Sequence, residues 1–399
     1  MRINGNTSDP ELTRLLVNHA GSTINWLAAN GYQIFEDHPV TGIGHDHFKT
    51  ARYLQGLEGG ISILKVFNPM IQATIQRGSI SLLLNTGVVD LMQAKDASIK
   101  GVIVEDEDGR KVQYEGNNTV LASGGCASNP HLFEELHKVP LYCQIAYPFS
   151  QGAGLVLGQA AGGYIHGGEK YASLPGAILA DDKYPSPMYA HAPLYTPKRQ
   201  PWEILVNSQG ERFVQEDHPS IDHIERGILK QPGHRHWAIF DQKILDKSPP
   251  IITGWNSDRI VTESKKHTMF KSENDLITLA VKSGLSPRKL LASVDQFNRN
   301  LIYNREDPFG RTHRPLPIAK PPFYSIRMQG WTLCSFAGLA VNSKLEVIKP
   351  NLEPIKNLYA VGEVIGAGTT LGNAYVNGMP VTPAITFGRL LGERILPLS

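Results

Sequence analysis

Apolar positions recur at helical spacing from the start of the chain: Leu12, Leu15, Leu16, Ile24 and Leu27 fall on one face. Asp9 suits the N-cap, Pro10 the first helical position and Gly31 the stop, so the pattern predicts a helix that begins at Pro10. No strand pattern precedes it. Residues 38–60 are polar and punctuated by glycine, and Ser62 to Gln76 read as a second helix, interrupted or bent near Pro69. The period then changes to that of strands. Ser79–Leu84 and Val88–Met92 flank Asn85-Thr-Gly87, and Gly101–Glu105 and Arg110–Tyr114 flank the hairpin signal Asp106-Glu-Asp-Gly109. Thr119-Val-Leu-Ala-Ser-Gly-Gly125 is a short apolar strand running into a glycine turn, followed by a helix from Pro130.

Gly152 to Gly163 is again helical and rich in small residues, whereas residues 165–320 lose regular periodicity and gain Pro, His and Lys. That stretch reads as a separate lobe. Regular patterning resumes at Pro321-Pro-Phe-Tyr324, with strands near Gly338–Asn342 and Leu358–Val361 and a final helix from Pro383 to Ile395. The expected architecture is α/β: residues 1–165 and 322–399 form one mixed-sheet domain, interrupted by an α+β lobe at 166–321. A chain of 399 residues with 41% hydrophobic and 19% charged residues is long enough for two such cores.

Charge and cysteine content narrow the function. Lys and Arg total 39 against 37 acidic residues, without a block of like charge, so no nucleic acid partner is expected. No run approaches the roughly 18 apolar residues of a membrane span. Cys126, Cys143 and Cys334 are odd in number and far apart, which fits neither a disulfide framework nor a metal knuckle and suggests a reducing, cytoplasmic setting. His45-x-His47 and His234-x-His236 read as histidines of polar loops and are not taken as metal ligands.

A strand that ends in Ala122-Ser123-Gly124-Gly125 brings backbone without Cβ atoms close to a neighbour, a device any α/β protein can use at a strand-to-helix turn. Its companions make it specific. Leu358-Tyr-Ala-Val-Gly362-Glu363, Ser208-Gln-Gly-Glu-Arg-Phe-Val-Gln-Glu-Asp217, Asn85-Thr-Gly-Val88-Val-Asp-Leu91 and Asn373-Ala-Tyr-Val-Asn-Gly-Met-Pro-Val381-Thr382-Pro follow in one order over residues 9–399. In these segments the chain resembles the fumarate reductase/succinate dehydrogenase flavoprotein superfamily, of the FAD-binding domain 2 type. The resemblance implies FAD as cofactor, with residues 122–125 near the dinucleotide, Glu363 accepting from FAD ribose or ribitol hydroxyls, and Val88 at the adenine edge or simply in the core. It also implies that the helix start at Val381 and Thr382 faces the electron-rich end of the flavin, where its N–H groups stabilise negative charge.

Two departures matter. Members of the superfamily carry Gly-x-Gly-x-x-Gly between a strand and a helix at the front, and the nearest glycine cluster here, Gly56-Leu-Glu-Gly-Gly60, follows a loop. The expectation is therefore a chain without that βαβ unit, either an FAD-dependent oxidoreductase or, alternatively, a non-catalytic or incomplete flavoprotein fragment that needs that segment or a partner chain. At the substrate end, the arginine of the dicarboxylate reducers' Thr-Arg-Asp is replaced in Ser220-Ile221-Asp222, their His-Thr-Met-Gly-Gly by Cys334-Ser-Phe-Ala-Gly338, and their Asn-Arg-x-Gly-Gly-Asn by Thr369-Thr-Leu-Gly-Asn373. Without those cations two carboxylates are poorly clamped, so fumarate and succinate are not the expected substrates. The closing segment is also similar to that of 3-ketosteroid Δ1-dehydrogenases. With one gap, Tyr375 and Gly378 fall on the Tyr and Gly that polarise a substrate carbonyl, although Tyr375 could equally be a packed aromatic. The implied substrate is a small molecule carrying a carbonyl.

Overall fold

The computed structural model describes residues 4–41, 45, 50–374, 378 and 380–396. Helix Pro10–Ala29 starts as its sequence dictates, with the Asp9 carboxylate accepting from the Leu12 amide at 2.8 Å. Its buried face (Leu12, Leu16, Leu27) packs against the final helix, Val381–Ile395. The chain's front is also tied to the closing segment: Asp9 N donates to Thr369 O, and Asn373 N donates to the Thr7 hydroxyl. Helix Ile61–Gln76 runs unbroken through Pro69, with only Ser62 and Val66 buried.

Four sheets follow. Strands Gly87–Gln93, Ile99–Glu105 and Lys111–Glu115 form an antiparallel meander whose turn at Gly109 (φ 75°) is the predicted hairpin. Thr119–Leu121 pairs in parallel with Pro354–Ala360, which pairs antiparallel with Glu346–Ile348. Ile165–His166 pairs with Gly338–Leu339. The largest sheet has seven strands: Cys143–Gln144, Ser186–His191, Leu174–Leu179, Phe323–Trp331, Arg235–Asp241 and Ile204–Val206 in spatial order, with Phe270–Glu273 also paired to Phe323–Trp331. The α/β expectation holds.

Three local expectations do not. Ser79–Leu84 forms no strand, and the strand expected over Gly338–Asn342 is confined to Gly338–Leu339. Residues 165–320, read as irregular, are regular in most of their length. The reason is burial on both faces: Ile204–Val206 is wholly buried and Arg235–Asp241 nearly so, which erases the period-two alternation that marks a half-exposed strand. The core there is large, running from Ile178 and Ile239 through Phe270 to Phe297 beneath helix Pro287–Ile302.

One buried ion network braces this lobe. Arg212 donates to Glu216 Oε1 (2.9 Å) and Oε2 (2.6 Å) and to Asp307 Oδ2 (2.6 Å), and lies over the rings of Phe297 and Phe309. Arg311 spends its donors on the carbonyls of Pro201, Glu203 and His313. The Arg-Phe-x-x-Glu segment is thus a brace inside the lobe.

Candidate functional site

The two glycine-ended strands lie side by side in register, with Leu358 opposite Thr119 and Ala360 opposite Leu121. Their carboxyl ends therefore open at the same place, the usual location of ligands in open α/β sheets. Ala122 and Ser123 are exposed there, and Gly124 takes φ 79°, a conformation that costs glycine little. Ser123 Oγ accepts from Gly154 N at the start of helix Ala153–Ala160 (3.0 Å), which pins the turn.

Gly125 shows why its position admits no side chain. A Cβ there would lie 2.0 Å from Ser335 Oγ and 2.4 Å from Glu363 Oε1. Ser335 joins three segments: its hydroxyl accepts from Cys126 N (2.9 Å), its amide donates to Glu363 Oε1 (2.9 Å), and its hydroxyl lies 3.2 Å from the same oxygen. Burial raises the Glu363 carboxyl above its ordinary range, and the Ser335 bonds offset part of that rise. Glu363 Oε2 has no hydrogen-bond partner among the described residues, so half of this acceptor is held and half is spare. Gly362, at φ 79°, faces the final helix, and its missing Cβ would sit 3.9 Å from Ala384 Cβ.

The helix start is near but separately built. No side chain caps Val381–Ile395, while Thr382 donates from both N and Oγ1 to Gly378 O (2.9 and 2.8 Å). Of the sequence-predicted residues, 122–125, Gly362, Glu363 and the first turn of the 381–395 helix thus converge. Gly378 is described, at φ 83°, but Tyr375 lies outside the described residues. Val88 sits half-exposed in the meander, opposite Val104, and no described contact joins it to the cluster.

Sequence reasoning missed Ser335 and His137. His137 Nδ1 bonds Gly168 O (3.1 Å) and Nε2 accepts from Phe336 N (3.3 Å), so a neutral imidazole holds the loop that carries Ser335; burial pushes it down to about 4. Only the three-dimensional fold could reveal that role, because its partners are backbone groups. Beside the loop, Ala172, Cys334, Phe336, Ala367 and Leu371 make a small apolar cluster, and Thr369 and Thr370 are buried. None of these carries charge.

Further polar groups lie under the lobe. His45 Nδ1 bonds Asp222 Oδ1 and Ser220 Oγ bonds Asp222 Oδ2, both at 2.9 Å; Glu225, 3% exposed, is raised well above the usual range by burial and by Asp222. A cavity of about 250 Å³ between Phe240, Ile252 and Trp255 is bounded by the Arg199–Glu203 pair, whose charges already satisfy each other. It lies inside the lobe, away from Glu363. No group of three metal-ligating side chains occurs among the described residues.

A parallel strand pair ending in glycine turns, an acceptor carboxylate with a spare oxygen and a helix start define a dinucleotide-binding fold. Residues 2–375 match the model of the FAD binding domain, and the chain belongs to that family. FAD is the cofactor this family binds, and the residues present fit it: the Cβ-free turn and spare Glu363 oxygen match a ligand with hydroxyls and phosphates. The chain is 25% identical over 392 residues to the NADH:fumarate oxidoreductase of Klebsiella pneumoniae, covering 98% of this chain and 39% of that protein. It is 26% identical over 394 residues to the vinyl phenol reductase of Lactiplantibacillus plantarum, covering 94% and 77%. In fold it is similar to the 3-ketosteroid Δ1-dehydrogenase of Sterolibacterium denitrificans, solved with 1,4-androstadiene-3,17-dione (TM-score 0.73, 16% identity, 99% of this chain and 86% of that one). The chain spans less than two thirds of the Klebsiella relative. Among the described residues, no helix is long and apolar enough to cross a membrane.

Proposed function

We propose that this chain serves FAD-dependent oxidation or reduction of a CH–CH bond next to a carbonyl, and that fumarate and succinate are not its substrates. The observation that carries this reading is the lack of charge in the buried cluster beside the Ser335–Glu363 contact. Cys334, Phe336, Leu371, Thr369 and Thr370 offer no cation to a dicarboxylate and suit a neutral, largely apolar molecule. The relatives range from a fumarate oxidoreductase to a vinyl phenol reductase, which supports a reductase reading and leaves the substrate to the cluster's chemistry.

When bound, FAD supplies hydride exchange with the substrate carbon. The chain's own residues would bind and orient. Ala122, Ser123, Gly124 and Gly125 would approach the dinucleotide, Gly362 and Glu363 its sugar hydroxyls, Val88 its adenine edge, and Val381 and Thr382 its flavin end. Tyr375 and the Gly378 amide would donate to the substrate carbonyl. Residues 1–165 and 322–399 form the FAD-binding part and 166–321 the lobe over the substrate, with Phe323–Trp331 paired into the lobe's sheet. The three buried, unpaired cysteines suit a cytoplasmic enzyme.

Reoxidation of the dithionite-reduced, FAD-loaded protein tests this reading. An α,β-unsaturated ketone should reoxidise the flavin at least about tenfold faster than fumarate, and Tyr375→Phe should remove much of that rate. Faster reoxidation by fumarate would overturn it. A second reading, a non-catalytic or incomplete flavoprotein portion that is complete only with further polypeptide, is favoured by the exposed apolar side chains of Ile61, Leu64, Leu82, Leu83 and Leu84.

A further inference from the structure

The lobe keeps a cavity that its own side chains do not fill. It measures about 250 Å³ and lies between helix Gln242–Lys247, the loop that follows it and helix Ser257–Lys266. Phe240, Ile244, Ile252, Trp255 and Ile260, all buried, wall it, and the half-buried Ser248 with the exposed Pro250 and Asn256 marks the side that meets solvent. Close-packed interiors hold few spaces larger than a water molecule, and an apolar cavity of roughly 150 Å³ is enough to take up benzene.

The walls are held from behind, so the space does not depend on a ligand. The Trp255 ring is packed by the Arg259 guanidinium, 3.9 Å from its centroid, and by the Phe270 ring stacked at 5.7 Å. Phe240 stacks on Tyr324 at 5.4 Å. The helix that carries Ile244 is pinned at its start by Asp241. Its Oδ1 accepts from Ile244 N (2.8 Å), and its Oδ2 accepts from the Ala319 and Lys320 amides (2.7 and 2.6 Å).

The polar groups around the cavity decide what can enter. Arg199 donates from Nη1 and Nη2 to the two Glu203 oxygens (2.8 Å each) and from Nε to Pro249 O (3.0 Å). Glu203 Oε2 also accepts from Trp202 N (3.0 Å). Asn256 Oδ1 accepts from Arg259 N, and Ser257 Oγ donates to Leu245 O, both at 3.0 Å. The ion pair in the wall is therefore neutral as a unit. A charged molecule would lose its hydration there without gaining a counter-ion, whereas a neutral apolar one gains by leaving water.

We propose that this cavity is a ligand site for a small, neutral, largely apolar molecule about the size of one aromatic ring. All its lining residues fall within 199–260, so the site is separate from the Ser335–Glu363 contact and stands apart from the FAD reading. The ligand is held by shape and burial, and it bridges helix Gln242–Lys247 to helix Ser257–Lys266.

Toluene, benzoate and benzylammonium share one ring and differ in charge, and their binding to the FAD-free chain tests the site. Toluene should bind saturably, one per chain, and raise the urea midpoint. Benzoate and benzylammonium should bind at least about tenfold more weakly. In methyl NMR spectra, Ile244, Ile252 and Ile260 should shift with toluene, while Ile99 and Ile355 of the other core stay in place. Ser248→Phe should fill the mouth and weaken toluene by at least about tenfold, and Ser248→Ala should leave its affinity unchanged. If Ser248→Phe does not fold, the methyl shifts decide alone. Added FAD should leave the toluene affinity the same. The proposal is overturned if toluene does not saturate, if the charged analogues bind as tightly, if the shifts fall on Ile99 and Ile355, or if FAD displaces toluene.

Discussion

Arg212 and Leu84 break the same rule in opposite directions. The guanidinium is 6% exposed inside the seven-stranded lobe and the leucine is 72% exposed at the front of the FAD-binding part. The buried charge is answered: two carboxylates and two aromatic rings surround Arg212. The exposed apolar run is unanswered by any described residue. A buried group without partners would unfold its surroundings, whereas an exposed leucine costs a folded chain little. The lobe therefore has its buried charge answered, while the front face leaves apolar side chains uncovered by any described residue.

Acid should have the largest effect, and on both regions. Burial pushes His137, His234 and His236 from the ordinary 6.5 down to about 4, so each favours the neutral, folded form. The stability they contribute is complete above about pH 6.5 and is lost as pH falls toward 4, by on the order of 3 kcal/mol per histidine at most. Glu225 and Glu363, raised by burial, act with the opposite sign: their contribution is present at low pH and declines as pH rises. Urea midpoints measured between pH 7 and 4 should fall, and a flat profile would remove the claim that these imidazoles are buried neutral.

Next in size is Arg212→Ala, which strands Glu216 and Asp307 in the core and should cost about 3–5 kcal/mol, read as a lowered urea midpoint. Gly125→Ala should cost about 1–3 kcal/mol, because the new methyl meets Ser335 and Glu363, and it should weaken FAD binding as the Ser335–Glu363 contact opens. Leu84→Lys in the chain alone should change stability by less than about 0.5 kcal/mol. A large loss there would mean that Leu84 is already covered, and the contrast with Arg212 would collapse.

The paired glycine turns were legible because their signals are local. A strand ending in Ala122-Ser-Gly-Gly125 and another ending in Gly362-Glu363 carry their turn chemistry in adjacent residues, and the fold needed only to set them side by side. Ser335 and His137 were not legible, since each acts through backbone and side-chain groups distant in sequence. Ile80–Leu84 illustrates the converse: its residues favour a strand, but a strand exists only with a partner. The lobe hid its strands by burying both faces, and the proposed carbonyl contact at Tyr375 falls outside the described residues.

The most direct test is a titration of FAD, followed by flavin fluorescence, into the 399-residue chain and into the chain fused to a Gly-x-Gly-x-x-Gly βαβ unit. The reading of a portion completed by further polypeptide predicts one FAD per fusion protein, bound at least about 100-fold tighter than by the chain alone, with Glu363→Ala weakening the fusion by about tenfold or more. Equal, stoichiometric and tight binding by the chain alone would contradict it.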